Sequence, residues 1–297
     1  MKLKHILLGL VISLISWCAL AAAVAPSSSQ LVVLAYHEID QNSPASDVNA
    51  VDTKAFVKQL EWLKGQGYHF VSVDDILADR AGSKPLPEKS VLLSFDDGYR
   101  SVYTNVFPVL KLFKAPAVIA LVGHWLEVPD GQLVQYGNEK VPRSNFLSWQ
   151  QIRELQASGL VEVASHSYDL HFGQVANPQG NQLPAATSQA YKGDRYETHE
   201  EYLARVRADL QRNREILKAH LGKAPRVMVW PYGSYSRETI RPAAELGMPV
   251  AMTLDDGANT RDTPLSALHR LLLDANMKLS DFSYQFKKME RAVQSEQ

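Results

Sequence analysis

Apolar, β-branched runs recur along the chain at residues 31–36, 69–73, 91–95, 117–122, 161–165, 227–230 and 250–254. Between them lie stretches whose apolar residues repeat at helical spacing. Thr53–Gly65 carries Phe56, Leu60 and Leu63 on one face; residues 148–158 carry Ile152 and Leu155; His199–Leu221 carries Leu203, Val206, Leu210, Ile216 and Leu217. Strand patterns alternating with helical ones predict parallel strands joined by crossover helices. Seven such runs are enough to close a sheet on itself, so the expected fold class is α/β, a deformed (β/α) barrel of about seven parallel strands. A barrel of this kind routinely spends 297 residues on one domain.

The first residues stand outside that pattern. Lys2 and Lys4 precede an uncharged apolar stretch from Ile6 to Trp17, followed by Ala19-Leu20-Ala21-Ala22-Ala23. Charged start, apolar middle and small-residue end are the parts of a secretory signal peptide. The expected organisation is therefore a signal peptide at 1–23, a lead-in at 24–30 and one domain at 31–297. Export to the periplasm or the exterior follows, with cleavage, lipidation and retention as an anchor all left open. Cys18, the single cysteine, lies inside the signal. A cleaved chain has no thiol, which excludes disulfides, cysteine catalysis and cysteine-ligated zinc. Any metal must be held by His, Asp or Glu. With 31 Lys+Arg against 32 Asp+Glu there is no basic surplus to neutralise a phosphate backbone, so nucleic acid is not an expected partner.

In parallel α/β barrels the chemistry collects at the carboxyl ends of the strands. Here 31–36 runs into His37, 91–95 into Asp96-Asp97-Gly98, 161–165 into His166 with His171 five residues on, and 227–230 into Pro231-Tyr232-Gly233. Adjacent carboxylates raise one another's pKa unless a cation or a shared proton intervenes. A divalent cation resolves the conflict, with one carboxylate as ligand and its neighbour free to take a proton from water. Asp97, His166 and His171 then supply three ligands and leave a position open, the layout of a catalytic zinc site. A second Asp-Asp-Gly, at 255–257, has no histidine pair to join and reads as a surface turn. Residues 123–145 and 172–198 are polar and too long for plain connections, which predicts binding loops.

At these residues the chain resembles the polysaccharide deacetylases of carbohydrate esterase family four, the NodB-homology domain. Ser94-Phe95-Asp96-Asp97-Gly98 is similar to their T-F-D-D-G motif, His166-Ser167-Tyr168-Asp169-Leu170-His171 to their histidine pair, and Trp230-Pro231-Tyr232-Gly233 to their third motif. Tyr36-His37, the spacing of the histidines and the Trp-Pro-Tyr-Gly form look most like the exported deacetylases of poly-β-1,6-N-acetylglucosamine, a biofilm polysaccharide. Those often carry a second, glycosidase-like domain, which a chain of this length is not expected to include.

The resemblance implies metal-dependent N-deacetylation of a polysaccharide containing N-acetylglucosamine. It implies Asp97, His166 and His171 as metal ligands, Asp96 as general base, Tyr232 as donor of a backbone N–H to the oxyanion, and Trp230, Pro231 and Tyr232 as the sugar-site wall. Zinc is the expected ion, with nickel, cobalt and iron(II) accepted by the same donors. The family usually places an arginine two residues before the proline of the third motif to steady the base; that position is Val229. The general acid is either His37, the strand-end histidine of the exopolysaccharide subgroup, or His269, in the late Leu-x-His setting of most relatives. The reading favours His37. Expected partners are the acetylated polysaccharide and the exopolysaccharide export machinery, with the chain itself a monomer. Rival readings are a deacetylase of chitooligosaccharide or peptidoglycan, and a non-catalytic glycan-binding module on the same fold. A glycosidase fits poorly, because its two carboxylates must flank a bond rather than adjoin.

Overall fold

The computed structural model describes residues 30–41, 50–275 and 277–294. The expected signal peptide, with Cys18, and the expected lead-in up to residue 29 lie outside the described residues. Eight parallel strands make the main sheet: β1 Gln30–Tyr36, β2 His69–Phe70, β3 Lys89–Phe95, β4 Ala117–Leu121, β5 Val161–Ser165, β6 Val227–Val229, β7 Val250–Met252 and β8 Leu271–Leu272. Their order is β7-β6-β5-β4-β3-β1-β8, with β2 beside β3. The edges approach each other at Leu268, which accepts from Thr253 N at 2.9 Å and donates to the Ala251 carbonyl at 2.8 Å, while β8 pairs with β1. The sheet thereby curls into the expected deformed barrel.

Each expected strand is present; four end one to three residues early, and an eighth is added. The second ends at Phe70, not Val73, because Ser72 and Asp75 form a capping box that starts helix α2, Val73–Arg80. The eighth strand, too short to read from the sequence, carries the seam.

Alternate residues of each strand feed two separate packings, which is why the runs are continuously apolar. Leu31 and Val33 join Leu92, Val118, Ala120, Ala164, Val229 and Met252 in the barrel interior. Val32, Leu34 and Tyr36 join Leu93, Phe95, Ile119 and Leu121 in the outer layer beneath Phe56, Leu60 and Leu63 of helix α1, Thr53–Gly65. Asp52 starts α1 by accepting from Lys54 N and Ala55 N at 2.8 and 3.1 Å. Helices α3, Trp149–Ala157, and α4, His199–Leu221, fall where the periodicity predicts them. Each opens with a capping box, Ser148 with Gln151 and Thr198 with Glu201. The two polar segments are not featureless. Residues 123–145 hold an antiparallel hairpin, Leu133–Tyr136 with Glu139–Pro142, and residues 172–198 hold another, Gly173–Val175 with Gln182–Pro184.

Candidate active site

β1, β3, β5 and β6 deliver His37, Asp96-Asp97, His166 and the turn Pro231–Gly233 to one rim of the barrel. Four non-glycine residues among those described hold positive φ, and three of them are here: Asp97 at 69°, Ser167 at 69° and Tyr232 at 57°. Such a backbone costs about 1 to 2 kcal/mol per residue, so the surrounding packing must impose it. Gly98 follows Asp97 at φ 71°, and a Cβ there would stand 2.6 Å from Leu121 Cδ2. Only glycine lets the chain turn this close to β4 and aim Asp97 inward.

Asp97, His166 and His171 converge. His166 Nε2 lies 3.4 Å and His171 Nε2 3.3 Å from Asp97 Oδ1. The three ligand atoms fall within 4.8 Å of one another, and all three residues are buried. Donors about 2.1 Å from a shared ion and tetrahedrally arranged stand about 3.4 Å apart, the spacing of both carboxylate–imidazole pairs here. Asp97 Oδ1 is buried with no hydrogen-bond partner, a costly state for a carboxylate oxygen unless a cation takes it. His166 Nδ1 lies 2.7 Å from the Val229 carbonyl, which requires a proton on Nδ1 and makes Nε2, facing Asp97, the ring's ligand atom. Burial pushes the His171 imidazole down to about 4, so it is neutral and ligand-ready at pH 7; the His166 imidazole is buried too, but the Asp97 and Asp96 carboxylates outweigh that burial and hold it above its ordinary value. The donor set fits a divalent metal.

Asp96 is buried beside this triangle, tied to β1 by its N–H to the Tyr36 carbonyl at 2.8 Å. Its carboxylate receives Arg270 Nη1 at 2.8 Å and Nη2 at 2.9 Å. Arg270 is itself buried, and also donates to the Thr253 carbonyl and Ser94 Oγ. Burial alone would raise the Asp96 pKa; the Arg270 guanidinium, with His166 and His37, outweighs it and holds the carboxyl below its ordinary value. The third motif's missing arginine is thus replaced from the seam of the barrel.

The two histidines weighed as general acid occupy different places. His37 acts electrostatically on both Asp96 and Asp97, and its Nδ1 is buried without a partner. His269 adjoins Arg270, but only Arg270 reaches Asp96. The His269 imidazole lies against Gly257, whose added Cβ would be 3.4 Å from Nδ1. Of the two, His37 is the one whose charge acts on both aspartates.

One expectation is corrected. Trp230 is fully buried and packs with Leu170, Tyr202, Met228 and Met248, so it supports the third motif from beneath and cannot wall a sugar. Pro231 is buried as well. Tyr232 alone of that motif is open, 46% exposed, with its ring centroid 4.5 Å from that of His171. The decoy Asp255 accepts the Tyr235 hydroxyl at 2.6 Å and stays outside the cluster.

Four contributors escaped the sequence reading. Arg270 is one. Asn213 bonds the Leu121 carbonyl at 3.1 Å and Ser165 Oγ at 2.7 Å, joining the ends of β4 and β5. Asp209 accepts from Tyr168 N and Asp169 N at 2.8 and 2.7 Å, pinning the loop between the ligand histidines. Tyr136, on the first hairpin, donates its hydroxyl to Asp97 Oδ2 at 2.7 Å. Asn213 and Arg270 left a signal, being polar groups set into the apolar stripe of Leu210 and Leu217 and the apolar run around Leu271. Tyr136 left none.

Residues 83–251 match the family model for polysaccharide deacetylase. The poly-β-1,6-N-acetyl-D-glucosamine N-deacetylase of Escherichia coli K12 is 40% identical over 257 residues, covering 86% of this chain. The chain spans only 38% of that relative's length. Among solved structures, the de-N-acetylase from Aggregatibacter actinomycetemcomitans is 38% identical at a TM-score of 0.81, covering 86% of this chain and 99% of that one. The BpsB deacetylase domain from Bordetella bronchiseptica is 41% identical at 0.76, covering 84% and 98%. With the fold, the carboxylate pair and the histidine pair all in place, this chain belongs to the polysaccharide deacetylase family.

Proposed function

We propose that the chain is a metal-dependent hydrolase that removes acetyl groups from N-acetylglucosamine units of a polysaccharide, with poly-β-1,6-N-acetylglucosamine as the substrate. The observation that carries this reading is the buried Asp97–His166–His171 triangle with an arginine-clamped Asp96 at its side. The similar relatives of Escherichia coli, Aggregatibacter and Bordetella support both the chemistry and, through the first, the glycan.

A metal bound there would polarise the acetamide carbonyl and make water acidic enough to attack near neutral pH. Asp97, His166 and His171 would hold it; zinc is the proposed ion. Asp96 accepts the proton of the attacking water. Arg270 keeps that carboxylate ionised and aimed, trading some basicity for permanent readiness. The Tyr232 N–H donates to the developing oxyanion, a contribution of about 3 kcal/mol for donors of this kind. His37 supplies the proton the amine needs to leave. The Tyr232 ring offers an apolar face to the sugar.

Residues 1–23 are proposed as an export signal on the strength of Lys2, Lys4 and the apolar run behind them, with 31–297 as the catalytic domain. No helix among the described residues is long and apolar enough to cross a membrane. The export machinery of the polysaccharide is the proposed partner of a monomeric chain.

Acetate release from a panel of acetylated glycans tests the reading. The β-1,6-linked N-acetylglucosamine oligomer should lead, a chelator should abolish release, and divalent metal should restore it. Release from chitooligosaccharide or peptidoglycan alone would reassign the substrate; chelator-resistant release would refute the mechanism.

A further inference from the structure

We infer that Tyr136 is a positioning residue for the metal centre, holding the Asp97 carboxylate so that one oxygen faces the ion and the other is withheld from it. The inference rests on the reading of Asp97, His166 and His171 as ligands.

The two oxygens of Asp97 live in different surroundings. Oδ1 lacks any hydrogen bond and faces both histidine Nε2 atoms. Oδ2 accepts the Tyr136 hydroxyl at 2.7 Å. The Asp97 backbone is held at φ 69° in the turn at Gly98, which places the carboxyl group and leaves only its rotation to be set. The phenol is fixed as firmly. Its ring sits in an aromatic cage, with centroids 6.0 Å from Tyr99, 5.2 Å from Trp125 and 6.3 Å from Phe146. The segment that ends the hairpin is stitched to the chain just beyond Asp97: Leu147 N donates to the Gly98 carbonyl at 2.8 Å, and Arg100 N to the Asn145 carbonyl at 2.7 Å. Hairpin and ligand turn therefore form one rigid piece. The same ring stacks on His171, centroids 5.9 Å apart with planes inclined by 29°, and Trp125 meets His171 edge-on at 5.1 Å.

The chemistry gives this arrangement a purpose. A carboxylate that is free to rotate can bind a cation through either oxygen or both, and the second oxygen would occupy the position a catalytic site leaves open for water and substrate. A donated hydrogen bond on Oδ2 removes that choice. Partners of this kind commonly govern metal affinity by 10- to 100-fold.

The test uses the whole protein stripped of metal and reloaded with cobalt(II) alone, in wild type and Tyr136→Phe. Phenylalanine keeps the cage filled, so the metal-free protein should stay folded, with a melting temperature lowered only by the loss of one hydrogen bond. Cobalt affinity, measured by competition with a fluorescent chelator, should fall at least about tenfold, within the range such partners govern. The visible cobalt absorption should change in intensity as Asp97 rearranges. Tyr136→Met, which also lacks the hydroxyl, should lose affinity to the same degree; a loss confined to the methionine variant would assign Tyr136 to packing and overturn the inference. Wild-type affinity and an unchanged cobalt spectrum in Tyr136→Phe would overturn it too, leaving the ligand set intact. A wild-type protein that takes up no stoichiometric cobalt would instead refute the ligand set.

Discussion

Arg270 grips Asp96 with both terminal nitrogens, at 2.8 and 2.9 Å, across 174 residues of sequence. Both groups are buried, so neither is screened by solvent. This one pair joins the barrel seam, where Arg270 precedes β8, to the carboxylate proposed as general base. It also explains how Asp96 stays ionised in a place whose burial disfavours charge.

Breaking the pair from the arginine side leaves a buried carboxylate alone, a change that typically costs about 3 to 5 kcal/mol. Arg270→Met should lower the urea midpoint accordingly, and Asp96→Asn combined with Arg270→Met should cost clearly less than the sum of the two. The pH dependence follows with a definite sign. Arg270 depresses the Asp96 pKa, so the wild-type pair stabilises the fold above the ordinary carboxylate range and loses that contribution only as pH falls through the lowered value. Without Arg270 the strongest charge opposing burial is gone and the pKa rises. The acid limb of kcat/KM should then move to higher pH; an unmoved limb would mean that Asp96 is not the group it reports.

Gly98 makes a second prediction. Alanine there meets Leu121 Cδ2 at 2.6 Å and must hold φ 71°, a backbone penalty of about 1 to 2 kcal/mol before the clash is counted. Gly98→Ala should lower stability by at least that much and weaken metal binding, because Asp97 is carried by the same turn. Retention of wild-type metal affinity would show that the turn does not set the ligand's position.

His37 and His269 separate by leaving group. If His37 protonates the departing amine, His37→Ala should depress kcat strongly on an acetamide and much less on an activated aryl acetate, whose phenolate leaves unaided. His269→Ala, altering a ring that lies against Gly257, should be mild on both. Equal losses on amide and ester in His37→Ala would reduce that histidine to a support.

The strands, the three helices read from periodicity and the Asp97–His166–His171 cluster were legible because their causes are local. Continuous apolar runs, capping residues such as Ser148 and Thr198, and a carboxylate pair after a strand all announce themselves within a few residues. What escaped depends on closure. Arg270 meets Asp96 only because β8 returns to β1, and a strand of two residues carries no pattern. Tyr136 reaches Asp97 from a hairpin inside a polar segment that looked like open loop. Trp230 was misplaced for the opposite reason: its motif points at the groove, but the residue that begins the turn faces the core, and the exposed aromatic is Tyr232, turned outward at φ 57°.

The division of labour between the adjacent aspartates is the centre of this account, and bound metal per chain measured alongside acetate release tests it in one preparation. Asp96→Asn should keep close to one metal per chain and lose most of kcat, whereas Asp97→Asn should lose the metal and the activity together. An Asp96→Asn protein that sheds its metal, beside an Asp97→Asn protein that retains it, would show that the two carboxylates have each other's roles.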